Sequence, residues 1–548
     1  MLGEAVVAEG VPQMETAEKD LMMPEGLAVV LKARDRRDAK RRALLTESGG
    51  CVLTVTLLMP GNVKTNNLSR AFLREYCSYL RKQLIGQGFG IVHEEALADS
   101  GGDAYFFAFA PATKPERLKH FAILMEEECE WARVLDLDLY VSAEEEMSRA
   151  SLERPQRRCL ICSESAHACS RSRRHDVLDL QEKVRSFQIE GLLQLVSERM
   201  QSAAIAAAVM EVLVTPKPGL VTSIDSGSHP DMDRFTYANS IAALAGYFSS
   251  AAICGLEEAL ERKEGLTSGS SDRAAELQRL GLRAERRMFA ATEAVNTQKG
   301  FIYLSGITLA AAATLVLDPN LLATFEEVDE ALIIKRWQDE ISRWTLLVSQ
   351  APAATGNQAS TDSRKIQDVS AEAEETTGES LNRLHGISGV RGEAASGLKS
   401  VFDLALPFYR ALRRRSISKN DAAAITLLLL LAAVEDTTLI KRAGLQAARE
   451  IREEIAEFFT TMAQTAAVCP SELAWRSGGN ERGLEYIDQV AEKALSPLCL
   501  DQIAEQRDSV ISYIELWSDL FRQQGYSGGG AADLLAVTLL VLKLLLDI

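Results

Sequence analysis

Arg157 to His175 reads RRCLICSESAHACSRSRRH and carries the densest chemistry in the chain. Cys159 and Cys162 form a C-x-x-C, followed by His167, Cys169 and His175. Thiolate sulfur and imidazole nitrogen at these spacings could hold zinc in a tight loop. A reduced loop of small residues without metal is the plainer alternative. The same stretch carries Arg154, Arg157, Arg158, Arg171, Arg173 and Arg174. Guanidinium forks grip phosphate oxygens bidentately, so this cluster points to a polyphosphate ligand. A solvated basic loop would look the same. Upstream, Asp136 and Asp138 fall two apart in VLDLDLYV. On a strand they share one face, where paired carboxylates can hold Mg²⁺ against phosphate. A solvated strand face is the alternative. Pro60-Gly61-Asn62-Val63-Lys64 sets a lysine in a turn after an apolar run, either a phosphate ligand or an ordinary exposed turn.

A second series of loops lies further on. Thr215 to Val221 reads TPKPGLV, and Gly227 to Asp233 reads GSHPDMD. His229, Asp231 and Asp233 at a helix start could coordinate Mg²⁺ and meet phosphate. Equally, Asp231 could be an N-cap and Asp233 a first-turn dipole partner. Asn296, Thr297 and Lys299 offer an amide, a hydroxyl and a cation between two helical runs. Gly389 to Ala394 places Arg391 and Glu393 among small residues. Asp436 closes a wholly apolar helix, an expensive place for a carboxylate unless it is paired or metal-bound. Gly529 and Gly530 open the last helix, where backbone N–H groups could meet an anion. Each of these loops could also be a flexible turn with ordinary capping.

The elements that position these residues follow from pattern. The chain has 548 residues, of which 47% are hydrophobic, enough for more than one core. Its formal charge is −17, which argues against generic nucleic-acid binding and makes a local basic pocket necessary for any anionic ligand. Residues 1–25 read as a flexible tail. A charged helix over Gly26–Thr46 is followed by β-branched or apolar runs at Cys51–Met59, Ala104–Ala110, Phe121–Met125 and Val134–Val141, with a helix at Leu68–Gly86. This half, 26–177, is expected to be an α/β domain with a mixed sheet. Residues 178–197 read as a connecting helix. From 198 to 548 strand signals nearly vanish, and an all-α domain is expected. Its helical stretches include Ser202–Val214, Asp233–Ala259, Ala274–Ala291, Ile307–Leu317, Ala422–Val434 and Ala531–Leu546. Ser349–Glu379, poor in large apolar residues, reads as a flexible insertion. There is no signal-peptide pattern, and the longest apolar runs are too short or interrupted for a bilayer. Nine scattered cysteines point to a reduced, cytoplasmic chain without membrane attachment.

The motifs of the first half strongly resemble the citrate lyase holo-acyl-carrier-protein synthase family. R-x-C-L-x-C, A-x-x-C-x-R and the closing His175 follow the Arg-rich helix (Arg34–Leu45), the P-G-x-V-K turn, Glu126–Glu128 and the D-x-D of Asp136 and Asp138 in the family order. The resemblance implies transfer of a phosphoribosyl-dephospho-CoA group to a serine of the acyl carrier subunit, with loss of pyrophosphate. On that reading Asp136 and Asp138 bind Mg²⁺, and Lys64, Arg158 and Arg171 hold the triphosphate.

The later loops, T-P-K-P-G-L-V, H-x-D-M-D, V-N-T-x-K-G, G-x-R-G-E-A, E-D-T and G-G-x-A-D-L-L-A, are similar in order and spacing to the triphosphoribosyl-dephospho-CoA synthase family. That family moves triphosphoribose from ATP to the 2′-hydroxyl of 3′-dephospho-CoA and releases adenine. The resemblance implies Mg²⁺ at Asp231, Asp233 and Asp436, and triphosphate contacts from Lys299 and Arg391. Either Glu393 or His229 would be the general base. The chain departs from the pattern at Glu293, Ala294 and Gln298, where two glycines and a histidine are usual. It departs again at Thr222-Ser223, Thr438 and Gly528. Together the two resemblances imply a bifunctional transferase in which one half makes what the other consumes. The same chemistry serving malonate decarboxylase is a close alternative. A zinc-binding interaction module on an impaired helical scaffold is a distant one.

Overall fold

The computed structural model describes residues 25–263, 265, 269–322, 329–351, 387, 389–464, 468–469 and 484–546. The expected tail up to residue 24, and the expected insertion from residue 352, lie outside these. Ser349 and Gln350 end a helix. The chain divides into two units. The first takes the residues up to 66 with 89–126 and 134–182, and the second takes 67–88, 127–133 and 183 onward.

The first unit is built on five strands: β1 (Val52–Leu57), β2 (Ile91–Leu97), β3 (Ala104–Phe109), β4 (Leu135–Tyr140) and the two-residue β5 (Glu146–Met147). Their order is β2-β3-β1-β4-β5, and every pairing is antiparallel. The mixed sheet expected from sequence is therefore corrected. Parallel pairing needs a long crossover between strands. Here β1 pairs on both sides with strands running against it. A second correction concerns Phe121–Met125, which belongs to helix α3 (Pro115–Glu127). Five apolar residues are too few to tell a strand from a buried helix turn. The first helix, α1 (Glu25–Ser48), lays Leu44 and Leu45 on the sheet face formed by Val52, Ala104, Phe106 and Ala108.

The second unit is helical in its described residues. Helix α2 (Asn67–Gly86) belongs to it despite its place in the sequence. Arg70 and Arg74 donate to the carbonyls of Leu322 and Leu321 at 3.0 and 2.8 Å, and Glu75 pairs with Arg199 at 2.8 Å. In the first unit a short helix, α4 (Ala166–Ser172), precedes α5 (Val177–Leu213), which enters the second unit at Lys183. Helix α5 runs unbroken through the expected connector and the next expected helix. There follow α6 (Arg234–Lys263), α7 (Gly269–Ala291), α8 (Lys299–Leu315) and α9 (Glu330–Gln350). Then come α10 (Gly389–Ala395), α11 (Leu406–Arg414), α12 (Lys419–Ala433), α13 (Thr437–Ala443) and α14 (Leu445–Met462). The last are α15 (Leu484–Ala494), α16 (Pro497–Glu505), α17 (Arg507–Gln524) and α18 (Gly529–Leu545). Helices α12 and α18 are apolar on every side because both are core: Leu427 to Leu430 and Leu535 to Val541 are buried. Among the described residues α6 is long and apolar enough to cross a membrane, and 56% of that apolar stretch is buried inside the protein.

Candidate functional site

The carboxylates of β4 stand where the alternation of a strand puts them. Leu135, Leu137 and Leu139 are buried, while Asp136, Asp138 and Tyr140 share the other face. Thr56 and Thr54 of β1 lie opposite the two aspartates. Beyond β4 the short β5 pairs only with Leu139 and Tyr140, so backbone groups nearer the start of β4 need other partners. Glu126 accepts the Leu137 N–H at 2.8 Å, Lys119 donates to the Leu137 carbonyl at 2.9 Å, and Arg157 donates to the Leu135 carbonyl at 2.6 Å. Closing this edge gathers ionic groups beside the aspartates. Arg149 and Arg157 both bond Glu126, and Arg157 lies 3.4 Å from Asp136.

Burial, then the neighbouring charges of Asp136 and Glu146, push the Asp138 carboxyl up to about 7. Two like charges sharing a half-buried face are under-compensated, which is the condition a divalent cation relieves. Thr54 Oγ1, buried opposite Asp138, has no hydrogen-bond partner. These observations fit a Mg²⁺–phosphate ligand. The basic helix α1 supplies cations to the same face. The Arg41 guanidinium lies 3.7 Å from the centre of the Tyr140 ring, and Arg37 donates to the Gly102 carbonyl at 3.0 Å. Lys64 is half-buried, donates to the Met59 carbonyl at 2.6 Å, and has its pKa lowered by burial. Arg158 and Arg171 are exposed. Of the arginines between 154 and 174, it is Arg157 that meets the carboxylates. Sequence reasoning counted it in the basic cluster but gave the triphosphate role to its neighbour Arg158, although two adjacent arginines on an extended segment must point to opposite sides.

Cys159, Cys162, Cys169 and His175 present ligand atoms that all lie within 4.8 Å of one another. His167 is exposed and outside this group.

In the helical unit the separate sequence motifs meet round the start of α18. His229 Nε2 is 2.9 Å from Ser527 Oγ. Asp436 caps α13 through the N–H groups of Thr438 and Leu439 at 2.8 and 3.0 Å, and its other oxygen accepts the Ala531 N–H at 2.8 Å. Gly300 has no room for a side chain, because a Cβ there would fall 1.9 Å from Asp533 Oδ2. The Phe301 N–H donates to Asp533. Gly389 packs on Thr437, where a Cβ would approach to 2.8 Å. A cavity of about 270 Å³ opens here, lined by Gly389, Glu393, Glu435, Asp436, Arg452 and Gly530. Gly529 sits against Thr438.

Carboxylates dominate this region. Burial, then Glu211 and Asp436, raise the Asp533 pKa well above its ordinary range. Burial also raises Asp436, against the pull of its backbone donors. Glu211 forms a buried ion pair with Lys217 at 2.6 Å. Glu393 accepts the Ser400 hydroxyl at 2.6 Å, and burial raises its pKa. Glu211, Asp533 and Arg452 were not assigned from sequence. Their signal was weak, since each sits inside a helix and only the fold brings them together.

Other expectations fall differently. Asp233 caps α6, taking the N–H groups of Phe235 and Thr236 at 2.9 Å each, and is exposed, as is Asp231. Among the described residues Asp231, Asp233 and Asp436 are not gathered into one ligand set. Arg442 donates to His229 Nδ1 at 3.1 Å, because a guanidinium has no acceptor. Nδ1 therefore carries the lone pair and Nε2 the proton directed at Ser527. Burial, with Arg442 beside it, lowers the His229 pKa to about 4. Lys299 pairs with Glu285 at 3.1 Å, Asn296 accepts the Lys299 N–H at 3.2 Å, and Arg391 is exposed. Thr297 donates to Ser240 at 2.8 Å, and Ser240 donates to Gln298 at 2.8 Å.

Buried carboxylates stand at the cavity of the helical unit, and the sheet unit carries paired aspartates with arginines, two donor sets of the kind that handle phosphate. The family model for ATP:dephospho-CoA triphosphoribosyl transferase (CitG) matches residues 197–477, just over half of the chain. The model for apo-citrate lyase phosphoribosyl-dephospho-CoA transferase (CitX) matches 26–190. The chain belongs to the CitG family and carries a CitX region ahead of it. Protein CitXG of Haemophilus influenzae is 27% identical over 94% of this chain and 96% of its own length. Protein CitXG of Leuconostoc mesenteroides subsp. cremoris is 29% identical, over 76% of this chain and 84% of its own. A probable 2-(5″-triphosphoribosyl)-3′-dephosphocoenzyme-A synthase of Vibrio cholerae is 31% identical over 62% of this chain and 86% of its own.

Proposed function

We propose that the chain makes and attaches the citrate lyase prosthetic group in two steps. Residues 198–548 transfer triphosphoribose from ATP to 3′-dephospho-CoA. The 2′-hydroxyl oxygen bonds to C1′ of the ATP ribose, the bond from C1′ to adenine breaks, and adenine leaves with a proton. Residues 26–177 then transfer the phosphoribosyl-dephospho-CoA group to a serine of the citrate lyase acyl carrier subunit. The serine oxygen bonds to the α-phosphorus, and pyrophosphate leaves.

Glu393 is the general base toward the 2′-hydroxyl. What favours it over His229 is the hydrogen bonding of the imidazole: Nδ1 accepts from Arg442 and Nε2–H faces Ser527, leaving no lone pair for a substrate proton. Glu393 instead lines the cavity with its charge already raised in energy by burial. Mg²⁺, when bound, neutralises triphosphate charge. Asp436 and Asp533 would hold it in the helical half, with Asp231 and Asp233 as further carboxylates near the start of α6. Lys299, Arg391, Asn296, Thr297 and the N–H groups at Gly529 and Gly530 serve the nucleotide. In the sheet half Asp136 and Asp138 take the metal, and Lys64, Arg157, Arg158 and Arg171 take phosphate oxygens. Zinc belongs to the Cys/His group, apart from the triphosphate. None of the nine cysteines, all among the described residues, is in a disulfide, in keeping with a reducing cytoplasm.

The test is adenine release from ATP and Mg²⁺, with and without 3′-dephospho-CoA, followed by mass analysis of the carrier subunit. Dephospho-CoA-dependent release and a modified carrier are expected. Carrier binding without any ATP-dependent chemistry would favour the scaffold reading, and modification of the malonate decarboxylase carrier alone would move the substrate.

A further inference from the structure

The Cys/His group is not used by either transfer step, and its geometry is that of a metal site. We propose that Cys159, Cys162, Cys169 and His175 bind one zinc ion in a closed four-ligand site, and that this ion holds Arg157 against Glu126 and Asp136. The second clause rests on the reading of the β4 carboxylates as the carrier-modifying site; the first does not.

Cys162 and Cys169 sulfurs are 3.4 Å apart, and His175 Nε2 is 3.3 Å from Cys162 Sγ. Tetrahedral zinc with ordinary bond lengths needs about 3.8 Å between sulfurs and about 3.6 Å from sulfur to nitrogen. A disulfide would need about 2.05 Å, and would leave one thiol and the imidazole outside it. The backbone is shaped for the ion. Cys159 N–H donates to the Glu164 carbonyl at 2.7 Å, and Ala166 N–H to the Arg157 carbonyl at 2.8 Å, closing a tight hairpin. Inside that hairpin the N–H groups of Ile161 and Cys162 both point at Cys159 sulfur. Ser165 caps α4, which carries Cys169, and the left-handed Arg173 (φ 49°) turns the chain so that His175 comes back.

Three thiolates and one imidazole select zinc over harder cations. Four protein ligands leave no position for water, so the ion is structural. Its lever is Arg157, two residues before the first ligand. The carbonyl of Arg157 is fixed in the hairpin and its guanidinium reaches the Leu135 carbonyl, Glu126 and Asp136.

The experiment is metal analysis of the full chain grown with zinc. About one zinc per chain is expected. The double variant Cys162→Ser, Cys169→Ser should lose it roughly tenfold or more, with far-ultraviolet circular dichroism checking its fold. Wild-type protein stripped of metal and kept reduced should take up Co²⁺ with the visible bands of tetrahedral thiolate coordination. A chain without zinc that gives no such bands overturns the site. Zinc retained by the double variant overturns the ligand assignment. For the second clause, stripped wild type is given pre-made precursor and carrier. A raised KM for precursor, restored by zinc and mimicked by Arg157→Lys in zinc-loaded protein, is expected. An unchanged KM in stripped protein overturns the positioning role while the zinc site stands.

Discussion

The β4 face and the start of α18 handle buried negative charge differently. At the β4 face the protein supplies its own cations: Arg149 and Arg157 on Glu126, Arg157 near Asp136, and Lys119 beneath Asp138. In the helical half Glu211 has Lys217 as its partner, but the two aspartates at α18 lean on backbone N–H groups. Asp436 takes those of Thr438, Leu439 and Ala531, and Asp533 that of Phe301. On the proposed assignment the difference matches the two leaving groups. Pyrophosphate departs with charge that arginines can neutralise. Adenine departs from a ribose that becomes electron-poor, a change that carboxylates such as Asp436 and Asp533 would favour.

The sharpest way to break this comparison is Glu393→Gln. Adenine release should fall on the order of 10²–10⁴-fold, while carrier modification with pre-made precursor stays unchanged. Burial raises the Glu393 pKa, so the acid limb of the wild-type rate profile should lie above the ordinary glutamate range: the rate rises with pH as the carboxyl loses its proton. His229→Asn should keep that limb. A limb that vanishes with His229→Asn and survives Glu393→Gln would exchange their roles.

The reciprocal variant is Asp138→Asn. Carrier modification should drop on the order of 10²–10³-fold with adenine release intact. Loss of both activities would mean that the substitution acts through folding, not through the β4 face.

A smaller effect is expected at Gln298, where the family pattern has histidine. Its oxygen accepts the Ser240 hydroxyl, which in turn accepts Thr297. Gln298→Leu leaves a buried Ser240 donor unpaired and should cost about 1–3 kcal/mol of stability by denaturant titration. Gln298→His restores an acceptor and should keep adenine release within about threefold if the residue serves position only. A large gain with histidine would assign that position to the chemistry.

What was legible in the sequence tracks how local the cause is. Strand alternation placed Asp136 and Asp138 on one face, and the apolar runs of α12 and α18 gave core helices. The sheet pairing was not legible, because antiparallel partners are chosen by the fold and not by the strand's own residues. Neither were the contacts of Arg157, Glu211 and Asp533, since each reaches across tens to hundreds of positions. Asp233 shows how a local cause leaves two readings open: a cap at a helix start and a metal ligand look alike in sequence, and the structure shows the cap.

The mildest test concerns Glu293 and Ala294, where the family pattern has glycines. Both adopt left-handed backbone, with φ of 54° and 67°. Side chains there clash with the backbone, at roughly 1–2 kcal/mol per residue. Glycine removes the clash but loosens the unfolded chain, which returns about 0.4–1 kcal/mol of that gain. The net for Ala294→Gly is therefore a stabilisation of about 1 kcal/mol or less, read as a higher denaturant midpoint at unchanged slope. This loop leads into Asn296, Thr297 and α8, so the same variant also asks whether the strain matters to chemistry. Adenine release that stays constant as stability rises marks the two departures as drift tolerated by a sound site. Release that rises severalfold with it would mean that the loop holds Thr297 out of register, and that the helical half, not the β4 face, limits the two-step reaction.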